Sequence, residues 1–294
     1  MSLLTKITNK AKFIRFLPSP IAKAVLILLI NFDNIFWKLR LNLFLAIKGK
    51  NTISGKALHE LKQNGATVIE SFVKENEIKV IRENCQKLFD DLPKNLKNGK
   101  NIPNVRVMEN EENIFFEKFN NSFKLKGLEK LKGFNYSSIK NKEQLNSIIL
   151  TYSLSKNNPF LIYNFSVADK DNIEQDVIAG EPHLDSPFRS LRGCLLLEDV
   201  DDINGPTIYF KKSSENSRVK KIHHNHLFNQ FNLNKSSGKV HLVNDEVLDD
   251  EFKKNYQTIS LTGKKGDLVL LDLKSVHYAS KIKKGERHLL WLYY

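Results

Sequence analysis

The sequence predicts an α+β fold, with a β-rich carboxy-terminal part behind flanking N-terminal helices. Three observations predict it. Short apolar runs at 160–167, 191–197, 207–210, 268–273 and 287–294 crowd into the second half, separated by turn residues such as Asn204-Gly205, a hairpin signal after which 207–210 is expected to pair back on 191–197. The clearest helical periodicity lies in the first half, at 75–92, where Ile78, Ile81, Cys85, Leu88, Phe89 and Leu92 share one face. A chain of 294 residues with 41% hydrophobic residues is long enough to bury a full core.

Residues 1–53 form a basic, apolar helical extension. A basic lead (Lys6, Lys10, Lys12, Arg15) and a Pro18-Ser-Pro20 break precede a stretch rich in Leu, Ile and Phe. Lys23 and Asp33 interrupt it, so it falls short of the roughly twenty apolar residues that a transmembrane helix requires. Lys23, Asn31, Asn34, Lys38 and Asn42 fall within one arc of about 100°. Two readings stay open: a helix lying on an anionic membrane, and a helix packing its apolar face on the domain. No small-x-small cleavage site follows the apolar run, so a signal peptide is not expected.

The domain proper spans 54–294. Ser54 is a candidate N-cap, Leu58 and Leu61 give an apolar stripe, and Gly65 is placed to end that helix. A strand at 66–71 and the 75–92 helix follow, with Glu75 and Glu77 near the positive helix end. Residues 93–103 read as a loop and the segment up to 155 as mainly helical. After the 160–167 strand comes a polar loop, 169–180. Residues 211–255 form an insertion rich in Lys and Asn with His223, His224, His226 and His241; without a carboxylate or cysteine at ligand spacing, it reads as a solvated loop.

The net charge is +13, and nine Lys/Arg against the single acid Asp33 place +8 of it in the first 50 residues, leaving +5 for the other 244. With no basic stripe interleaved with aromatics, that distribution argues against nucleic acid and towards an anionic membrane surface. Cys85 and Cys194 fall in a predicted helix and a predicted strand with no C-x-x-C pattern, as expected of a cytoplasmic protein, which the first of the two readings of the extension makes peripheral to a membrane.

The chemistry centres on Glu181-Pro-His-Leu-Asp185. In an extended segment His183 and Asp185 point to the same face, and His277 is the best third ligand for a two-histidine-one-carboxylate face of the kind that holds ferrous iron. Ten residues on, Arg287 opens the terminal strand; a hairpin closed by the basic turn 281–286 would bring it level with His277, where its planar fork could clamp a dicarboxylic cosubstrate. His288 then points to the opposite face. Tyr163, or its neighbour Asn164, and Ser280 are further positions that could face the cosubstrate, with core packing the alternative for Tyr163.

These pieces, His183-Leu-Asp185, Leu197-Glu-Asp-Val200 with Asn204-Gly-Pro-Thr207, Gly266-Asp267, His277 and Arg287, resemble in order and spacing the phytanoyl-CoA dioxygenase-like branch of the Fe(II)/2-oxoglutarate-dependent oxygenases. Upstream, Leu58-His-Glu-Leu-Lys-Gln-Asn-Gly65 extends the likeness. The resemblance implies a double-stranded β-helix (jelly-roll) core, iron held by His183, Asp185 and His277, 2-oxoglutarate held by Arg287, and hydroxylation of a small-molecule or lipid-linked substrate with release of succinate and CO2. Because relatives that halogenate carry Gly or Ala at the position of Asp185, it also favours hydroxylation over halogenation. Phe210-Lys-Lys-Ser-Ser214 departs from the Pro-Gly-Ser-His of many relatives. The competing reading is a non-catalytic jelly-roll binding module docked on a membrane; a cupin-type isomerase or hydrolase is a third.

Overall fold

The computed structural model describes residues 14, 17–99, 101–108, 114–131, 134, 139, 142–153, 158–168, 180–231 and 242–294. The basic lead, His241 and most of the 169–180 loop lie outside them.

Helix α1 runs Ser19–Lys48, opened by Pro18 and Pro20 and ended at Gly49. Helix α2 follows at Ile53–Asn64. Its cap is Thr52, whose hydroxyl accepts from the Gly55 amide, and not Ser54, which lies inside the helix and donates to the Gln144 carbonyl. Gly65 ends α2 in the left-handed region, φ 83°. Strand β1 (Ala66–Ile69) and helix α3 (Glu75–Asp90) come next, then the short helix α4 (Lys94–Asn98).

The expectation of a mainly helical segment up to residue 155 is corrected here. Strands β2 (Asn101–Met108), β3 (Ile114–Phe119) and β4 (Ser122–Lys126) form an antiparallel meander before helix α5 (Glu143–Ser153). The β3–β4 turn places Asn120 at φ 49°, one of the few non-glycine residues that tolerates it. Only part of each strand is buried, and Glu117 pairs with Lys124 and Lys126 across the wetter face; this charge ladder obscures the two-residue period.

The second half supplies β5 (Phe160–Val167), β6 (Leu191–Leu196), β7 (Thr207–Phe210), helices α6 (Ser217–Gln230) and α7 (Asp250–Asn255), β8 (Thr258–Leu261), β9 (Leu268–Asp272), β10 (His277–Ala279) and β11 (Glu286–Tyr293). Two antiparallel sheets result, in orders β1-β9-β6-β11-β5-β4-β3-β2 and β10-β7-β8, and they form the jelly-roll. Two pairings differ from expectation. The Asn204-Gly205 turn carries the chain from the large sheet into the small one, so β7 pairs with β8 and β10 and not with β6. Likewise β10 and β11 are no hairpin: β11 lies between β5 and β6 in the large sheet. The 211–255 stretch is also not a loop. Asn216 caps α6 with its side-chain oxygen, and Asp249 caps α7.

Strand β9 is buried on both faces. Leu268 and Leu270 pack outward against helices α2 and α3 with Leu58, Ile78 and Ile81; Val269 and Leu271 pack inward with Cys194, Leu196 and Tyr209. Helix α1 is tied to this body by a buried stripe, Ala22, Leu26, Ile30, Asp33, Trp37 and Leu41. Asp33 accepts from the Arg189 amide, and Asn34 accepts from the side chains of Arg189 and Lys274. Arg40 donates to the carbonyls of Thr151 and Tyr152 at the end of α5. Domain packing, one of the two readings of this helix, therefore accounts for one of its faces.

Leu270 has no exposed surface. Truncating Leu270→Ala should lower the unfolding free energy by about 2–5 kcal/mol, read as a lower urea midpoint at unchanged slope.

Candidate metal centre and its cavity

The centre begins as a backbone contact. The amide of His183 donates to the carbonyl of His277 at 3.0 Å and the amide of His277 donates back at 3.1 Å, the hydrogen-bonded pair of an antiparallel ladder. Paired residues project to one side, and Asp185, two residues along, shares it, its own amide donating to the Leu273 carbonyl. The three side chains meet: one donor atom from each lies within 4.8 Å of the others. The Asp185 carboxylate is 3.2 Å from His277 Nε2 and 3.7 Å from His183 Nε2.

Both imidazoles are oriented by their other nitrogen. Nδ1 of His183 donates to the Glu181 carbonyl at 2.7 Å, and Nδ1 of His277 to the Ser275 carbonyl at 2.9 Å. A carbonyl only accepts, so the proton sits on Nδ1 and the Nε2 lone pair of each ring is turned to the centre. Burial, then the neighbouring His277, pushes the His183 pKa down to about 4, which keeps the ring neutral and able to ligate. Burial acts to raise the Asp185 carboxyl, but the Arg192 guanidinium beside it outweighs burial and holds it well below the usual carboxylate range. Two imidazoles, each with its Nε2 turned inward, and one carboxylate suit a divalent, borderline cation.

Asp185 opens onto a cavity of about 580 Å³, bordered by β4, β5 and β11 and by the segment after β10. Arg287 reaches it from the large sheet and is 8% exposed. It faces the β10 side from across the two sheets, the correction to a hairpin partner of His277. One terminal nitrogen donates to the Gly205 carbonyl, while Nε is buried without a partner; among the described residues no carboxylate pairs with this guanidinium. Burial pushes its pKa down to about 10. A buried cation with an unspent donor, opening onto a cavity, fits an anionic ligand brought from outside.

Ser280 lines the same cavity. Tyr163 does not. It is 1% exposed and packs on the helix side of the large sheet, its hydroxyl donating to His288 Nδ1, while Asn164 and Ser166 face the cavity. The strand period of two separates them, so choosing Tyr163 over Asn164 selects the wrong face. His288 turns away from Arg287 as expected, stacked on Phe165 and donating to Glu286. His223, expected in a solvated loop, is buried on α6 and donates through Nε2 to the Lys274 carbonyl.

Arg192 is the residue that sequence reasoning missed. It lies 2.7 Å from Asp185 and stacks over Tyr293 and Trp291. A lone arginine in the apolar run Leu-Arg-Gly-Cys-Leu-Leu was the available signal, since a charge in a buried strand needs a partner.

The sequence pattern of the phytanoyl-CoA dioxygenase family matches residues 61–288. No curated protein matches by sequence. Among solved structures, the epimerase SnoN in complex with Fe3+, alpha-ketoglutarate and nogalamycin RO is similar at TM-score 0.52 and 11% identity, over 81% of this chain and 82% of that one. The non-haem alpha-ketoglutarate-dependent carbocyclase SnoK from nogalamycin biosynthesis aligns at TM-score 0.49 and 16% identity, over 83% of each chain. At 11% identity the likeness to SnoN is one of fold. With the family pattern spanning the convergent triad and Arg287, the chain belongs to the phytanoyl-CoA dioxygenase family of Fe(II)/2-oxoglutarate-dependent enzymes.

Proposed function

We propose that this enzyme hydroxylates a C–H bond of a small-molecule or lipid-linked substrate, with His183, Asp185 and His277 holding Fe(II) and Arg287, beside Ser280, holding the distal carboxylate of 2-oxoglutarate. One observation carries the reading: a three-donor face opens through Asp185 onto the cavity that is also lined by Arg287, a buried guanidinium with no carboxylate partner among the described residues. Iron, 2-oxoglutarate and dioxygen supply the oxidation, in which substrate C–H becomes C–OH and 2-oxoglutarate becomes succinate and CO2.

The chain's own residues bind, orient and keep the site dry. The carbonyls of Glu181 and Ser275 fix which imidazole nitrogen is offered. Arg192 steadies the Asp185 carboxylate and keeps it ionised. Arg287 gives the cosubstrate a bidentate partner at a fixed distance from the triad, which sets one end of a five-carbon diacid. Trp291 and Tyr293 line the cavity with aromatic rings, while Lys124, Lys126 and Asn164, on neighbouring strands of the same sheet, line it with polar groups, so it suits a substrate with both characters. The lipid-linked possibility draws support from the apolar surface that α1 leaves open. A purely binding role for the same jelly-roll is disfavoured by the intact donor set.

Mixed anaerobically with Fe(II) and 2-oxoglutarate, the protein should develop the weak visible charge-transfer band of the chelate, and His183→Ala should remove it; an unchanged band would refute the ligand set. Arg287→Ala should weaken 2-oxoglutarate binding by roughly 10–100-fold in a titration of that band, with Fe(II) affinity little changed.

A further inference from the structure

Helix α1 keeps a second apolar face after it has packed. Leu28, Phe32, Ile35, Phe36, Leu39 and Leu43 are each 54% to 63% exposed, and at 100° per residue they fall in one arc of about 100°, on the far side of the helix from the buried stripe. Ile21 and Ile47 extend this ridge to both ends, a length of about 39 Å, and exposed Ile53 continues it past the helix. Isolated surface leucines need no explanation, but a continuous ridge of this size on a folded protein does.

The charge around the ridge is of one sign. Between residues 17 and 59 the only acid is Asp33, which is buried against the body, whereas Lys23, Lys38, Arg40, Lys48, Lys50 and Lys56 are cationic. Lys38, Lys48, Lys50 and Lys56 are exposed. We infer that this ridge seats the enzyme on an anionic lipid surface, with α1 lying in the plane of the interface. The expectation that this stretch is too interrupted to cross a membrane is corrected here: Ser19–Lys48 is long and apolar enough for a crossing helix by length and composition. Crossing would strip the Asp33, Asn34 and Arg40 contacts from the body, leaving their polar groups in hydrocarbon. A two-fold pairing of ridges in a second copy would set the same cations against one another. Anionic headgroups neutralise those cations while the ridge enters the acyl boundary. This inference does not depend on the chemistry assigned to the cavity.

The test is co-sedimentation of the full chain with vesicles of phosphatidylcholine, alone or mixed with phosphatidylglycerol, at about 0.1 M salt. The mixed vesicles should carry the protein down and the neutral ones far less. The exposed pair Phe32→Ser with Leu39→Ser should lower partition by about tenfold or more, and Lys38→Glu with Lys48→Glu should do the same on mixed vesicles only, each with unchanged melting temperature and unchanged Fe(II) binding. No binding by the unaltered chain, equal binding to neutral vesicles, or full binding by the serine pair would overturn the inference. So would a concentration-dependent dimer in sedimentation velocity that the serine pair dissociates, because the ridge would then belong to a second copy.

Discussion

The reciprocal backbone bonds between His183 and His277 are the contact from which the site follows. They join the segment before β6 to the start of β10, far apart in sequence, at one rung of a ladder. A rung fixes side-chain direction without any side-chain contact, so both rings face the same way before a cation arrives. The pleat then puts Asp185 beside them. Carbonyl acceptors behind each ring complete the preorganisation, because they decide which lone pair faces in.

The two arginines near this centre have different standing. Arg192 has its carboxylate within the chain and lies flat on aromatic rings, so its charge is met at home. Arg287 has only a carbonyl for one nitrogen. Burying such a cation costs stability, and the cost is offset when an anion enters. The same distinction separates Lys124 and Lys126, both paired with Glu117, from a true ligand-seeking charge.

Much of this could be read in the sequence because ligand sets are local in chemistry even when distant along the chain. His183 and Asp185 announce themselves by spacing, and Gly65 and the Gly266-Asp267 turn by backbone demand, with Gly266 at φ 92°. What escaped was pairing. Nothing local says that β7 leaves the large sheet or that β10 and β11 lie on different sheets, since register between distant strands depends on the whole core. The β2–β4 meander escaped because charged residues on its wetter face mask the apolar alternation. Arg192 escaped because a partner cannot be seen without the fold. In α6 the polar residues suggested solvent, yet His223 is anchored in the interior by a single carbonyl, a contact composition does not reveal.

The first fifty residues look detachable on paper, yet they supply charge to the interior. Lys274 is buried and Arg189 largely so, with Asp272, Asp33 and Asn34 around them, and burial already pushes the Lys274 pKa down to about 8. Lys274 stands three residues before His277, and its neighbour Ser275 holds that ring by a carbonyl. Cutting α1 away would leave two interior cations facing one carboxylate at the base of the turn that aims His277. The extension is thus a wall of the catalytic body, and whatever leans on its outer side is mechanically close to the metal site.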